Sequence, residues 1–288
     1  MTKEKSMVRI AINGFGRIGR SLTRALQQHS NIEIVAINDL ADTNTLAHLL
    51  KYDSVHGKFD GEISSTDSSI SINGKEIKAF NERDPKNLPW ATLNIDIAIE
   101  STGLFLTKEL ASQHLTAGAK RVILSAPPKS NDIKTVVLGI NDGNIDGTEE
   151  IISNASCTTN AAAPLIKVLH DLYHIESAYI TTIHSYTSDQ TLHDAPHRDL
   201  RRARAGALSI IPTTTGAAKA ITKIFPDLDG NIGGCGIRVP VPNGSLIDIS
   251  VILKEDTTVE AINKAFKEAS KTYLKGILEY TEDPIVSI

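Results

Sequence analysis

The sequence predicts an α/β protein with two domains. Residues 1–156 are expected to form a doubly wound, mostly parallel sheet, and residues 157–288 an α+β domain with a largely antiparallel sheet. Three observations support this prediction. Short apolar runs alternate with helical patterns in the first half, a glycine-rich turn follows the first run, and longer alternating segments replace this rhythm after about residue 156.

The composition is that of an ordinary folded protein. The chain has 288 residues, of which 41% are hydrophobic and 22% charged, with a net charge of -4. These values argue against disorder, collagen-like repeats, a coiled coil and a polycation built for nucleic acid. Two cysteines cannot form a disulfide framework, and no apolar run reaches the roughly 18 residues that span a bilayer. We therefore expect a cytoplasmic protein.

Apolar periodicity predicts the elements of the first domain. Strands are predicted at 8–13, 32–38, 95–100, 121–125 and 136–140, and helices at 17–28, 43–50 and 108–117. The Ser/Thr/Asp/Gly-rich stretch 57–78 interrupts this alternation. Because it contains Asn73-Gly74, a hairpin dipeptide, we predict a small antiparallel excursion there.

The second domain is predicted from longer patterns. Helices are expected at 157–172 and 259–273, an alternating strand at 177–187, and further strands at 237–241 and 246–253. A basic, turn-rich stretch runs to Gly206. Pro164 lies inside the first of these helices, where it is expected to kink or interrupt it.

The first glycine-rich turn matches a dinucleotide-binding fingerprint. Gly14, Gly16 and Gly19 form G-x-G-x-x-G between a strand and a helix, where a tight turn, close backbone approach and the helix N-terminus suit a diphosphate. Asp39 follows the second strand, where a carboxylate accepts hydrogen bonds from ribose hydroxyls and repels a 2′-phosphate. The pattern predicts a Rossmann domain that binds NAD rather than NADP, with a purely structural glycine turn as the alternative.

Cys157 is a candidate nucleophile. It follows Ser156, a favourable N-cap residue, at the start of a predicted helix, and a helix N-terminus lowers the pKa of a thiol. The alternative is a buried structural cysteine, which is our prediction for Cys235 beside Gly233 and Gly234.

His184 and a group of basic and hydroxyl residues are the other candidates. His184 shares a strand face with Ile180, Thr182 and Tyr186, and it is either a base or a structural histidine. His197, Arg198, Arg201, Arg202 and Arg204 are either a solvated basic surface or an anion site. Residues 213–216, Thr-Thr-Thr-Gly, precede another helix and offer a second anion site.

Together these segments resemble the phosphorylating glyceraldehyde-3-phosphate dehydrogenases. The motifs N-G-F-G-R-I-G-R, S-N-A-S-C-T-T-N, H-S-Y-T, L-R-R-A-R-A, P-T-T-T-G-A-A-K and R-V-P-V-P occur in the family's order. The resemblance implies a homotetramer with a Rossmann domain, Cys157 as the nucleophile that forms a thiohemiacetal and then a thioester, and His184 as its base. It also implies glyceraldehyde 3-phosphate and inorganic phosphate as substrates.

The resemblance also assigns the remaining site residues. One anion pocket would contain Thr187 and Arg238, and the other Ser156, Thr158, Arg202, Thr215 and Gly216. Gly14, Gly16, Arg17, Ile18, Gly19 and Asp39 would hold the NAD diphosphate and ribose, with Thr102 and Ser125 nearer the nicotinamide. No metal site is predicted.

Three positions depart from the family pattern. Ala161 replaces a second cysteine, and Ala195-Pro196 stands where NAD-preferring members often have Leu-Pro. Family chains normally continue beyond Ile288 with a strand and a helix, so we expect this sequence to be a fragment. Two alternatives stay open: an erythrose-4-phosphate dehydrogenase, which comparative turnover of the two aldehydes would detect, and a non-catalytic NAD- or RNA-binding protein, in which Cys157 would react slowly with iodoacetamide.

Overall fold

The computed structural model describes residues 7–287, which divide into two compact units. The first unit runs to Thr135 and includes Ile145–Ala155, and the second comprises Val136–Asn144 and the chain from Ser156 onward. The predicted domain limits, 1–156 and 157–288, stay a prediction. In the described part of the chain, no helix combines the length and apolar character needed to cross a bilayer.

The first unit is built on a nine-stranded sheet. The strands are β1 (Val8–Asn13), β2 (Ile32–Asn38), β3 (Tyr52–Asp53), β4 (Gly57–Lys58), β5 (Ile63–Ser65), β6 (Ser69–Ile72), β7 (Lys75–Phe80), β8 (Ile97–Glu100), β9 (Arg121–Leu124), β10 (Lys134–Thr135) and β11 (Ile151–Ser153), and the helices α1 (Arg17–Leu26), α2 (Thr43–Lys51) and α3 (Lys108–Thr116). The order in the sheet is β10-β11-β9-β8-β1-β2-β7-β6-β5, and all neighbours are parallel except β5–β6 and β6–β7. Strands β3 and β4 form a separate ribbon.

The predicted parallel sheet is confirmed, and its core explains why. Along β1, Ile10 and Ile12 pack into one hydrophobic cluster while Ala11 packs into another on the opposite face. A sheet covered on both faces needs apolar residues at successive positions rather than in alternation, which is the pattern of the first-half strands.

The hairpin prediction is confirmed and one strand prediction is wrong. Asn73 and Gly74 turn between β6 and β7 with φ angles of 52° and 79°, the left-handed conformation that a two-residue hairpin turn requires. Residues 136–140 do not form a strand. The chain turns there, since Gly139 has a φ of 74° and the Val137 carbonyl accepts the Ile140 amide.

The second unit contains a four-stranded mixed sheet. Its elements are α4 (Cys157–Tyr173), β12 (Ile175–Ser185), β13 (Ile211–Thr213), α5 (Ala217–Ile224), β14 (Ile232–Val239), β15 (Ser245–Leu253) and α6 (Val259–Lys271). The order in the sheet is β13-β14-β12-β15; two of the three pairings are antiparallel, and β12–β14 is parallel. The α+β prediction with a largely antiparallel sheet is confirmed. Helices α4 and α5 contact the sheet, and α6 packs on α4.

Three local predictions for this unit need correction. Helix α4 runs through Pro164 without interruption, because the proline is buried in a well-packed stretch whose tertiary contacts offset the missing N–H. Strand β14 begins five residues earlier than predicted, across a glycine-rich stretch. There Gly234 pairs with Ile180 so closely that a Cβ would lie 2.7 Å from the Ile180 carbonyl oxygen. Cys235 is half-buried rather than buried.

Candidate active site

Cys157 is the first residue of helix α4 and is exposed to solvent. The N-cap residue Ser156 accepts a hydrogen bond from the Thr159 amide at 3.0 Å, which fixes the first turn. Two residues before the cysteine, Ala155 has a φ of 60°, a left-handed conformation that is strained for a non-glycine residue. The thiol therefore projects from a rigid, capped helix start.

His184 lies near the carboxyl end of β12, and its ring is oriented by the backbone. The Nε2 atom is 3.2 Å from Cys157 Sγ, and Nδ1 donates to the Ser185 carbonyl oxygen at 2.8 Å. Because Nδ1 carries a proton for that carbonyl, Nε2 is the nitrogen that exchanges a proton with the sulfur. Thiol and imidazole are thus arranged as a nucleophile and its base.

The electrostatics of the pair shift both pKa values toward the thiolate–imidazolium form. The hydrogen bond from His184 lowers the pKa of the Cys157 thiol, against partial loss of hydration, and Thr158 lowers it further through its backbone and side chain. The same hydrogen bond to Cys157 raises the pKa of His184, while burial and the charge of Arg238 oppose that rise.

Arg238 and Thr187 are in direct contact beside this pair. Arg238 on β14 pairs with His184 on β12. Its Nη1 donates to Thr187 Oγ1 at 3.2 Å and to the Ser185 carbonyl oxygen at 3.0 Å. Burial lowers the pKa of Arg238 first, and repulsion from Arg202 lowers it next. The Arg238 guanidinium and the Thr187 hydroxyl both offer donors that suit an anion.

Arg202 is held by three groups. Its Nε donates to Thr213 Oγ1 at 2.9 Å, its Nη1 to Asp189 Oδ2 at 2.6 Å, and its Nη2 lies 3.4 Å from the Thr214 carbonyl. These contacts bring Arg202 next to the turn that starts α5. Sequence reasoning missed Asp189, whose only signal is an acidic residue shortly after the predicted strand.

The remaining residues predicted for the second anion pocket occupy two helix starts. Ser156 and Thr158 flank the cysteine at α4. Gly216 is the N-cap of α5, with open space where a Cβ would be, and Thr215 Oγ1 accepts the Ala217 amide at 3.2 Å. Both sets of residues can offer N–H or hydroxyl groups to an anion.

In the first unit, two of the three glycines of the turn have no room for a side chain, and the third is open to solvent or a ligand. Gly14 has a φ of 91° and leaves no room for a Cβ against Ser101 and Thr102, and a Cβ on Gly19 would lie 2.3 Å from the Gly14 carbonyl oxygen. Gly16, the N-cap of α1, has open space at the Cβ position. The backbone at Gly16 can therefore be approached closely by a diphosphate.

Asp39 lies directly at this turn. Its carboxylate accepts the Phe15 amide at 2.8 Å and the Ala41 amide at 3.1 Å. It lines a cleft of about 360 Å³ together with Gly14, Gly16 and Thr102. These groups fit a dinucleotide: an open glycine backbone for the diphosphate and a fixed acidic group for a ribose.

The other predicted cofactor residues are placed less uniformly. Ile18 is exposed on α1, and the Arg17 guanidinium donates to Asp53 at 2.7 Å, so its contribution to a diphosphate is limited to its backbone in this conformation. Ser125 follows β9, where its amide bonds the Glu100 carbonyl, and it is not part of the cleft lining.

Polar residues at the ends of buried strands were also missed. Asn13, Asn38 and Glu100 end β1, β2 and β8, and all three are buried. A polar residue that ends an apolar run was the available signal, since such side chains meet at the carboxyl edge of a parallel sheet. In the described residues no cluster of three or more His, Cys, Asp or Glu side chains could hold a metal ion.

The comparisons with known proteins agree over both units. Residues 8–108 match the model of the glyceraldehyde 3-phosphate dehydrogenase NAD binding domain, and residues 156–288 match the model of the C-terminal domain of the same enzymes. Glyceraldehyde-3-phosphate dehydrogenase of Geobacillus stearothermophilus is 54% identical over 97% of this chain and 84% of its own length. The corresponding proteins of Borreliella burgdorferi and Clostridium acetobutylicum are 55% and 54% identical, over 97% and 98% of this chain and 85% and 83% of their own lengths.

Proposed function

Because this chain belongs to the glyceraldehyde-3-phosphate dehydrogenase family, we propose that Cys157 and His184 carry out the NAD-dependent, phosphorylating oxidation of glyceraldehyde 3-phosphate to 1,3-bisphosphoglycerate. The protein is an NAD-dependent oxidoreductase. The single observation that best supports these catalytic residues is the 3.2 Å contact between Cys157 Sγ and His184 Nε2.

The thiolate attacks the aldehyde carbon and forms a C–S bond as the carbonyl π bond breaks. The oxygen takes the Nε2 proton of the His184 imidazolium, which gives a thiohemiacetal on Cys157 and a neutral imidazole. His184 Nε2 then accepts the hydroxyl proton as the carbon loses a hydride and the thioester forms. A phosphate oxygen attacks the thioester carbonyl, the C–S bond breaks, and the acyl phosphate leaves with Cys157 again a thiolate. Throughout, Ser185 holds the His184 ring through Nδ1.

The first-unit cleft accounts for the cofactor. NAD supplies the hydride acceptor when bound. Backbone groups at Gly14, Gly16 and Arg17 would hold its diphosphate, and Asp39 a ribose. Asp39 accepts the Phe15 and Ala41 backbone amides, and its carboxylate favours ribose hydroxyls and disfavours a 2′-phosphate.

Two anion pockets account for the two phosphates. Arg238 with Thr187 would form one, and Arg202 with Ser156, Thr158, Thr215 and Gly216 the other. Support comes from the contacts of both arginines with hydroxyl side chains, Arg202 with Thr213 and Arg238 with Thr187.

The test is NADH formation from glyceraldehyde 3-phosphate, NAD and phosphate, followed by absorbance. Cys157→Ser should abolish turnover, because serine is a much poorer nucleophile without a stronger base. Cys235→Ser is the matched control and should retain it. Turnover that survives Cys157→Ser, or that does not require phosphate, would contradict the proposal.

We further propose a cytoplasmic homo-oligomer, with four copies as the family suggests. The outer face of β12 and β15 exposes Tyr179, Leu246 and Ile252, and the turn-rich loop exposes Leu192 and Leu200. Apolar side chains on a sheet face and a protruding loop are expected to be covered by other copies of the chain. A light-scattering mass near four times the 31.1 kDa of one chain would support this, and a monomer mass would contradict it.

A further inference from the structure

A buried carboxylate behind the nucleotide cleft is not used by the mechanism. Glu100 ends β8 with a fully buried side chain, and Thr102 and Asn13, which line the cleft, both contact it. Among the described residues no lysine or arginine pairs with it, and the histidine that it contacts, His114, is also fully buried. Burying a carboxylate without a paired cation costs free energy unless hydrogen bonds replace its lost hydration.

Four donors converge on the two oxygens of Glu100. Oε1 accepts the Thr102 amide at 2.7 Å and the Thr102 hydroxyl at 2.5 Å. Oε2 accepts the Asn13 amide group at 2.6 Å and lies 3.1 Å from His114 Nε2. Each oxygen therefore has two partners.

The role of His114 follows from the indole that it contacts. Trp90 Nε1 can only donate, and it lies 3.1 Å from His114 Nδ1. Nδ1 must accept, which assigns the imidazole proton to Nε2 and makes it a donor to Glu100. Because all four groups donate, the side chain at position 100 must accept hydrogen bonds at both of its terminal atoms.

The network extends from Glu100 to both sides of the cleft. On one side, Thr102 lies against the Gly14 turn, where a Cβ would be 2.7 Å from its amide nitrogen. On the other, Asn13 Oδ1 accepts the Asn38 side chain at 2.7 Å, and Asn38 in turn holds the backbone of Glu82 through both its amide atoms. One carboxylate thus links the two walls.

We propose that Glu100 is a positioning residue for the dinucleotide, whose four-donor network fixes Thr102 and Asn13 in the geometry that binds NAD. The inference rests on the proposed use of this cleft for NAD. It gives a reason for keeping a buried acid and its donors in place of a wholly apolar cluster: the carboxylate sets the geometry of the cleft.

Glu100→Gln tests the proposal because it keeps shape and replaces one acceptor by a donor. The new NH₂ group must face either the Thr102 donors or the Asn13 and His114 donors. We expect NAD affinity, measured by calorimetry on the full chain, to fall roughly tenfold or more. The KM for NAD should rise while the KM for glyceraldehyde 3-phosphate stays unchanged.

Trp90→Phe supplies the control and a rescue. Alone, it removes the indole donor but keeps all four donors on Glu100, so thermal stability falls while NAD affinity is retained. Combined with Glu100→Gln, it lets His114 move its proton to Nδ1 and accept from the new NH₂ group, so part of the lost affinity returns. A purely structural role for Glu100 would not produce this rescue.

The outcomes separate this inference from the proposed function. A wild-type chain that does not bind NAD contradicts the proposed function. A wild-type chain that binds NAD, with Glu100→Gln binding it equally well, overturns the inference. If Glu100→Gln does not fold, Glu100→Asp decides: it keeps the charge but is too short to reach both walls, and unchanged NAD affinity in this variant overturns the inference too.

Discussion

Replacing His184 by asparagine isolates the role of the imidazole. An asparagine amide can still donate to the Ser185 carbonyl, as Nδ1 does at 2.8 Å, but it has no atom at the Nε2 position 3.2 Å from Cys157 Sγ. The variant loses the largest cause of the lowered pKa of Cys157 and also the acceptor for the substrate hydroxyl proton.

The expected effect follows from the loss of a positioned base. General base catalysis contributes roughly 10²–10⁴-fold in rate, or about 3–5 kcal/mol of transition-state stabilisation, and kcat should fall within that range. The KM for NAD should not change, because the cofactor residues lie in the other unit.

Alkylation of Cys157 by iodoacetamide across pH reports the thiol separately from turnover. A lowered pKa means that the wild-type thiolate persists as the pH falls below the ordinary range of a thiol, so alkylation stays fast at neutral pH. In His184→Asn the pKa rises, the profile moves to higher pH, and the neutral-pH rate drops.

The matched control is His170→Asn, a histidine of the same unit that pairs with Asp227 and has no contact with Cys157 among those described. It should keep both the pH profile and kcat. If His184→Asn retains the wild-type alkylation profile and kcat, or if both variants lose them equally, then the imidazole of His184 is not the base of Cys157.

Three further variants test other parts of the structure. Arg238→Lys keeps the charge but loses the planar group that donates to Thr187, so the KM for a phosphate-bearing substrate should rise roughly 10–100-fold in steady-state kinetics. Gly19→Ala places a Cβ 2.3 Å from the Gly14 carbonyl oxygen, and calorimetric unfolding should show a loss of roughly 1–3 kcal/mol with weaker NAD binding. Burial opposes the shift, but hydrogen bonds from the His56 and Val55 amides and from Arg17 outweigh it and lower the pKa of Asp53 in the folded state. Asp53 therefore stabilises the fold above its unfolded pKa of about 4, and that stabilisation is lost as the pH falls through the lower folded value. Asp53→Asn should flatten the acid side of a plot of Tm against pH.

Local sequence rules predicted the features that depend on neighbours in the chain. The run 8–13 and the Asn73-Gly74 turn were placed correctly, because a two-sided buried strand and a two-residue hairpin each have a characteristic local pattern. Within the site, the N-cap position of Ser156 suggested a polarised thiol at the next residue. It could not show which of nine histidines faces that thiol.

What the sequence could not show depends on contacts between distant segments. The apolar run 136–140 looked like a strand, but Gly139 turns the chain there. Strand β14 begins among glycines, which disfavour strands locally and are needed here because the neighbouring backbone approaches so closely. The donors around Glu100 come from β1, α3 and the turn after β8, and no local pattern announces that they meet.

The close pairing of Gly234 with Ile180 has an effect at the far end of the same two strands. Arg238 lies four positions further along β14, about 13 Å away, opposite His184 on β12. Any side chain at Gly234 would push the strands apart or slip one past the other, and a slip of one residue turns the imidazole away from the sulfur. The alignment of His184 with the Cys157 sulfur thus depends on the absence of a side chain at Gly234, in a distant part of the same strand pair.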